Sequence, residues 1–427
     1  MTKKNYEAIN ETLITEQLSN GLNVFLLPKQ ELSKTFAIFS TNYGSIDHSF
    51  VPRNKQNAVT VPEGVAHFLE HKLFEKEDHD VFAEFSKQGA SANAFTSFTK
   101  TAYLFTATNF IEQNVKTLLD FVQAPYFSDQ SVEKEKGIIG QEITMYDDQP
   151  DWRVFMGTIQ NLFHHHPVKV DIAGTIESIA SITKEDLYEC YETFYHPDNM
   201  TLFIAGNFDE KKMMELVKEN QSVKEFPPSD EIKRIMPDEP NDVYKKETTI
   251  NMPVSIPKCS VGIKGLVNET DSDAFLLNDL VESMILDFYF SEGGSFYQKL
   301  YKEGIIDNSF YFETNIEKGF GYAIIGGNTS KPEKFSNLIQ EMLLSIKDKT
   351  ISEAEFERMR KKQIGQLLRA MNSIEFIAKK YIHYHIMGID FLEIIPRLQS
   401  LTYDEVSLFL KDWIQDEQLT TFIIKAE

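Results

Sequence analysis

Residues 181–204 and 400–423 carry one pattern twice, and this self-similarity limits the folds open to the chain more than any other feature. Ser181-Ile-Thr-Lys-Glu-Asp-Leu187 runs through Phe194 to Met200-Thr-Leu-Phe-Ile204. Ser400-Leu-Thr-Tyr-Asp-Glu-Val406 runs through Trp413 to Leu419-Thr-Thr-Phe-Ile423. The pairs Thr183/Thr402, Thr201/Thr420 and Phe203/Phe422 keep a constant offset of 219 positions, and both copies read as helix, turn, strand. A chain of 427 residues is too long for one ordinary core. Two related domains of about 200 residues each are the economical reading.

The boundary is expected at the proline-rich, charged stretch that contains Phe226-Pro-Pro and Met236-Pro-Asp-Glu-Pro240. That division gives a first domain over 1–225, a linker over 226–243 and a second domain over 244–427. In the first half, residues 12–28 read as a hairpin through Asn20-Gly21, Thr35–Tyr43 as a strand, and Ser91–Phe105 as extended with a turn near Lys100. Helices are predicted over Ile111–Gln123, Ser131–Tyr146 and Trp152–Phe163. In the second half, strands are predicted over Ser260–Leu266, Phe310–Thr314 and Tyr322–Gly326. Helices there are predicted over Ala274–Phe288, Phe296–Lys302, Glu333–Ile346 and Ser352–Tyr384. Strands and helices come in runs, so the class is α+β rather than doubly wound.

Against this duplicated background one stretch is unique. His67-Phe-Leu-Glu70-His71 places two histidines four apart with a glutamate between them. On a helix these three share a face, where two imidazoles can take two corners of a tetrahedral Zn²⁺ site beside a carboxylate. Thr60-Val-Pro-Glu63 fits a capping box, with Pro62 in the first turn. A buried helix with two hydrogen-bonded histidines is the plainer alternative, and a metal site needs a third ligand. His164-His165-His166-Pro167 reads as a structural loop, because adjacent histidines cannot all face one ion. His196, His383 and His385 read as ordinary core or surface residues.

The repeat bears on the third ligand. Glu133-Lys-Glu135-Lys-Gly-Ile-Ile-Gly-Gln-Glu142 in the first half matches Arg358-Met-Arg360-Lys-Lys-Gln-Ile-Gly-Gln-Leu367 in the second. Glu135 thus meets Arg360 and Glu142 meets Leu367, so the carboxylates belong to the first copy alone. Glu135 and Glu142 are two turns apart on one helical face.

Composition narrows the partners. The chain has 43 Lys+Arg against 65 Asp+Glu, and a net charge of −22 argues against binding nucleic acid. Only two cysteines occur, Cys190 and Cys259, without a CxxC pair, so neither a disulfide scaffold nor a cysteine zinc site is expected. The N-terminal residues form no signal peptide and no apolar run reaches ~18 residues, so no membrane span is expected. A cytoplasmic protein is the expectation.

The motifs together resemble a known family. His67-Phe-Leu-Glu70-His71 is the H-x-x-E-H pattern of inverzincins. Gly89-Ala-Ser-Ala-Asn93-Ala-Phe-Thr96, Glu135 with Glu142, His166-Pro167, Gly174-Thr175 and Tyr195-His-Pro-Asp-Asn199-Met follow in order. This series resembles the pitrilysin/insulinase family of zinc metallopeptidases, in its mitochondrial-processing-peptidase-like branch. The resemblance implies two α/β sandwich domains, each an antiparallel sheet packed with helices, which together form half of a clamshell. It implies His67, His71 and Glu142 as zinc ligands, Glu70 as the catalytic base and Glu135 as a supporting glutamate. It places Asn93, Ala94, Phe95 and Thr96 on an edge strand that binds an extended peptide by β-augmentation. The implied activity is a zinc endopeptidase acting on peptides or unfolded segments inside a closed chamber. A non-proteolytic scaffold of the same fold is the alternative.

One departure is informative. Active members carry an Arg followed seven residues later by a Tyr in the second half, and Gly294–Asp307 contains no arginine. The resemblance therefore implies a metal-bearing subunit whose homologous partner supplies the Arg/Tyr pair, with a homodimer as the alternative.

Overall fold

Two sheets are built to one plan in the computed structural model, which describes residues 1–228, 230–265 and 271–427. In the first half lie β1 (Thr2–Tyr6), β2 (Glu11–Gln17), β3 (Asn23–Pro28), β4 (Thr35–Thr41), β5 (Ser49–Val51) and β6 (Val59–Thr60). They are followed by β7 (Ala90–Thr96), β8 (Thr101–Ala107), β9 (Met200–Gly206) and the short β10 (Lys233–Arg234). The second half adds β11 (Glu247–Met252), β12 (Lys258–Gly265), β13 (Tyr311–Glu317), β14 (Phe320–Asn328) and β15 (Leu419–Ala426). The larger sheet has the order β1-β2-β3-β9-β4-β8-β7, and the smaller has β11-β15-β12-β14-β13. The last five strands of the first order and the five of the second correspond one to one. Each sheet is antiparallel except for one pair in the same place, β3 with β9 and β11 with β15.

The repeat seen in the sequence is therefore a repeat of structure. Helix α7 (Lys184–Phe194) leads into β9 as α15 (Tyr403–Asp412) leads into β15. Both helices open with a capping box at matching positions. Thr183 Oγ1 accepts from Asp186 N–H at 3.2 Å, and Thr402 Oγ1 accepts from Glu405 N–H at 3.3 Å.

The remaining helices are α1 (Val65–Phe74), α2 (Val81–Lys87), α3 (Ile111–Val122), α4 (Asp129–Asp147), α5 (Pro150–Leu162), α6 (Ile176–Ser181) and α8 (Glu210–Ser222). The second half contributes α9 (Ser272–Phe290), α10 (Ser295–Lys302), α11 (Pro332–Ser345), α12 (Glu353–Ala370), α13 (Ile374–Ile386) and α14 (Ile394–Ser400). Both faces of the first sheet are buried, which is why its strands are apolar at consecutive positions. Ala37 and Phe39 face a core with α1, α3, α7 and α8, while Phe36 and Ile38 face the other way. That second face is covered by α13, whose Tyr381 meets Phe25 and Phe203. The exchange is mutual, because α5 of the first half lies on β12 and β15 of the second sheet. A Cβ on Gly157 would stand 2.2 Å from the Phe422 ring, so only glycine lets α5 approach this closely.

Several expectations need correction. Thr60 does not cap the histidine helix; it lies in β6, with its hydroxyl 2.9 Å from Ser49 Oγ. The helix instead starts at Val65 after Gly64, whose φ of 87° is left-handed and whose Cβ would lie 2.4 Å from Ala173 O. Pro62 thus precedes the helix rather than opening it. The single helix expected over Ser352–Tyr384 is two, α12 and α13, because Ser373 accepts from Phe376 N–H and starts the second. The strand expected over Ser260–Leu266 is β12, and Leu266 lies outside the described residues.

The stretch expected as a linker is tied down. Within it β10 pairs with β5, and Arg234 Nε donates to Asp47 Oδ1 at 2.8 Å. The Glu239 carboxylate accepts the backbone N–H groups of His164, His165 and His166 at 2.8, 2.7 and 2.7 Å. It also pairs with the buried Lys264. The triple histidine is thus held through its backbone, as a structural loop.

Glu282 on α9 supplies a pH test of the second core. It is 8% exposed. Burial first, and then the Asp279 carboxylate, push its pKa up to about 8 against the opposing Trp413 contact. A glutamate in the unfolded chain titrates near about 4.3, so between these values the folded state holds one proton more. The contribution is full below the lower value and is lost as pH rises through the upper one. Glu282→Gln removes this titration, so its thermal midpoint relative to wild type should climb between about pH 5 and about pH 9. A difference independent of pH would contradict the assignment.

Candidate metal centre and active site

Helices α1 and α4 pack against each other, and the first turns of α1 face the middle of α4. Both are anchored by their apolar sides. Phe68, Leu69 and Leu73 of α1 and Ile139 and Ile143 of α4 share one core. The opposite sides bring charge together. His67 Nε2 and His71 Nε2 lie 3.9 and 3.7 Å from Glu142 Oε2. The two imidazole rings are 4.6 Å apart at 67°. Ligand atoms of His67, His71 and Glu142 all lie within 4.8 Å of one another, and no other such group of three occurs among the described residues.

These separations are too long for hydrogen bonds. They are close to the about 3.3 Å expected between neighbouring ligands of a tetrahedral ion with bonds of about 2.0 Å. Charge and protonation point the same way. Glu135 and Glu142 both stand beside His71, and Lys72, 3.9 Å from Glu135, is already paired with Glu75, which leaves negative charge for a cation to offset. Burial, and secondarily the charge of His71, hold the His67 pKa down to about 3, so its ring is neutral, as a metal ligand must be. At His71 burial disfavours the charge, but the bond it donates to Glu135 and the charges of Glu70, Glu135 and Glu142 outweigh it and raise the pKa. A cation in the cluster would take the place of that proton. The donor set of two imidazoles and a carboxylate suits Zn²⁺, and the cluster has the geometry of a single Zn²⁺ site.

Glu135 and Glu142 approach opposite sides of one ring. Glu135 Oε1 is 3.1 Å from His71 Nδ1, which fixes the tautomer that turns Nε2 toward Glu142. Lys72, fully buried, stands 3.9 Å from Glu135 Oε2 and pairs with Glu75. Nothing in the sequence singles this lysine out. Glu70 is 8% exposed, and its Oε2 accepts from Thr96 Oγ1 at 2.6 Å. Burial raises its pKa, with the Thr96 bond and the His71 charge opposing.

Thr96 ends β7, the outermost strand of the first sheet. The four residues expected to meet substrate divide between the two faces of that strand. Ala94 packs on the core that contains α1, on the same side as Thr96. Phe95 packs on the other core, under Lys379 Nζ at 5.8 Å, and does not face the metal cluster. Asn93 is exposed, and its Oδ1 accepts from Ala94 N–H at 2.9 Å. His383 and His385 face apart, one toward Glu317 and the other against Phe25. His196 caps a short turn with Nδ1 and meets Pro227 O with Nε2. One turn beyond Glu142, Tyr146 lines a cavity of about 680 Å³ with Trp152 and Asp171, separate from the histidines.

The matching helix of the second copy makes different contacts. Lys362 of α12 reaches Asp287 of α9 at 2.6 Å. Arg360, which matches Glu135, donates to Gln399 O and Leu401 O at 2.9 and 3.1 Å.

Two substitutions separate the roles of the glutamates. Glu142→Ala should lose bound zinc, read as metal content after dialysis, and full occupancy would remove Glu142 from the ligand set. Glu135→Gln should keep zinc but weaken it by about 10- to 100-fold in competition with a chelator. An unchanged affinity would deny Glu135 its hold on His71.

Comparison with known proteins agrees with this geometry. Residues 59–176 match the family described as Insulinase (Peptidase family M16), and residues 181–363 match the Peptidase M16 inactive domain. The uncharacterized zinc protease YmfH of Bacillus subtilis is 49% identical over 415 residues, covering 97% of each chain. An M16-like peptidase from Alicyclobacillus acidocaldarius has a crystal structure that matches with a TM-score of 0.92 at 38% identity, over 98% of this chain and 99% of that one. The periplasmic protease PqqL of Escherichia coli shares the fold at 18% identity and a TM-score of 0.77, with this chain matching 48% of its length. The chain belongs to peptidase family M16, the insulinase family of zinc proteases, with the metal cluster in its first half and an inactive-type domain in its second.

Proposed function

We propose that this chain is the metal-bearing subunit of an endopeptidase that cleaves peptides or unfolded polypeptide segments in a chamber closed by a second chain. The observation that carries the reading is the meeting of three kinds of group in one place. His67, His71 and Glu142 form the metal cluster, Glu70 stands beside them, and β7 offers a free sheet edge that ends on Glu70's partner Thr96. A scaffold has no use for this set, so the scaffold reading is set aside.

The chemistry that Zn²⁺ supplies at such a site is Lewis acidity, which lowers the pKa of water from 15.7 towards about 7 and polarises a carbonyl oxygen. The residues of the chain do the rest. Thr96 holds Oε2 of Glu70, and we assign Oε1 the proton: taken from water, then returned to the leaving amine. Glu135 keeps the His71 ring in register. An extended peptide adds to β7 through its backbone, so recognition depends little on sequence. Asn93 and Ala94 are the residues of that edge assigned to substrate, with Thr96 shared between strand and base.

The division follows from the duplication: a catalytic domain over 1–225, a connecting segment over 226–243 and a metal-free domain over 244–427. The missing arginine in Gly294–Asp307 supports a second chain that supplies an Arg/Tyr pair. The match to about half of PqqL is in keeping with two such units per working enzyme. A homologous chain without H-x-x-E-H is the favoured partner, and a second copy of this chain is the alternative.

Hydrolysis of an unstructured peptide by the zinc-loaded chain, alone and with its co-purified partner, tests this reading. Cleavage should require the partner, and Glu70→Gln should retain zinc while losing activity by at least about 100-fold. Undiminished cleavage by that variant would sink the role of Glu70, and full activity of the isolated monomer would sink the two-chain chamber.

A further inference from the structure

The hairpin that carries Thr96 turns through Ser97, Phe98, Thr99 and Lys100 before β8 begins at Thr101. The turn is closed by Ser97 N–H and Ser97 Oγ, which both donate to Lys100 O, at 2.8 and 3.1 Å. One side rests on the segment after β4. Ser45 N–H and Ile46 N–H donate to Ser97 O and Phe98 O, both at 3.1 Å. A Cβ on Gly44 would stand 2.3 Å from Phe98 O, so glycine is required beneath the turn.

The other side is buried against the second half of the chain. Phe98 meets Phe320 edge to face, with centroids 6.0 Å apart. Thr99 Oγ1 donates to Glu317 Oε2 at 3.2 Å. Lys100 Nζ donates to His383 Nδ1 at 3.2 Å and lies 3.9 Å from Glu317 Oε1. His383 Nδ1 is 3.5 Å from the same oxygen. Lys100 and Glu317 are only 9% and 6% exposed.

Burying an ammonium, a carboxylate and an imidazole together is a poor way to gain stability, because apolar side chains of the same volume serve as well or better. What directional bonds provide is a fixed position. The beneficiary lies at the other end of the same turn. Thr96 and Thr101 flank it, with their hydroxyls 3.3 Å apart, and Thr101 Oγ1 donates to Tyr43 O at 2.9 Å. Thr96 Oγ1 in turn holds Glu70. The link from Glu317 and His383 of the second half to the carboxylate beside the metal cluster thus runs through the side chains of Thr99 and Lys100, the backbone of the turn and the Thr96 hydroxyl.

We propose that Lys100, Glu317 and His383 are positioning residues: through them the metal-free half holds the hairpin tip so that Thr96 orients Glu70 for proton transfer. The inference rests on the reading of Glu70 as the base. It gives the second half a part in the chemistry without any group at the reacting atoms.

Lys100→Met is the test variant. Glu317, which burial already pushes up, can then neutralise itself by taking a proton, so the fold should survive. Lys100→Met, Thr96→Val and the double variant are compared in the full chain with its partner, zinc-loaded, on an unstructured peptide. Each single change should retain zinc and lower kcat by about tenfold or more, with KM moving much less. The double variant should lose no more than the worse single one, because both act through Glu70. Losses that multiply, or an unchanged kcat in Lys100→Met, would overturn the proposal. If Lys100→Met does not fold, Thr99→Val removes one hydroxyl bond while leaving the charges paired, and the same pattern is expected. Amide exchange at Ala94, Phe95 and Thr96 separates this idea from the one beneath it. Should the wild-type enzyme not cleave at all, the assignment of Glu70 fails. Faster exchange in Lys100→Met would still support the clamp on the hairpin, and unchanged exchange would overturn it.

Discussion

The crossing of α1 and α4 is the contact on which the working half of this molecule depends. Apolar side chains from Phe68 to Ile143 fix the distance between the two helices, and the polar sides are left facing across a gap of under 4 Å between His67, His71 and Glu142. That gap is too wide for hydrogen bonds and suited to a small cation. Glu135 and Glu142 both face His71, and Lys72 is shared between Glu135 and Glu75, so a cation entering the cluster would offset carboxylate charge. A bound metal would thus favour the crossing as well as supply the reactivity.

The two halves are not merely adjacent. Each lends a helix to the other's sheet, α5 to the second and α13 to the first, so neither sheet has both faces covered by its own half. Through this exchange the metal-free half takes part directly in the packing of the metal-bearing one. His383 sits on α13 and Glu317 at the end of β13, and both reach the tip of the hairpin that ends on Glu70's partner. In the second copy an ordinary ion pair, Lys362 with Asp287, joins α12 to α9.

Much of this was legible in the sequence, for reasons that differ between elements. The duplication could be read because the helix–turn–strand unit keeps its caps and its strand pattern at both ends, as Thr183 and Thr402 show. Helical spacing put His67 and His71 on one face and the repeat set Glu135 and Glu142 apart from the second copy, but the choice of Glu142 as third ligand came from the family resemblance. The start of α1 was misread because a local capping pattern at Thr60 competes with a tertiary one. The 173–174 turn crowds Gly64, and β6 claims Thr60 for a strand pair. The helix exchange could not be read, since apolar periodicity reports that a face is buried and never against what. The partners of Lys72, Thr96 and Lys100 could not be read for the same reason: they are set by folding across long sequence separations.

The central claim is that one zinc ion sits between α1 and α4 on His67, His71 and Glu142. Diffraction from crystals of the metal-loaded protein, recorded on both sides of the zinc absorption edge, tests it most directly. A single anomalous peak within about 2.0–2.2 Å of the two Nε2 atoms and a Glu142 oxygen is the predicted result. A peak on any other group of residues, or none in protein that still cleaves peptide, would contradict the account.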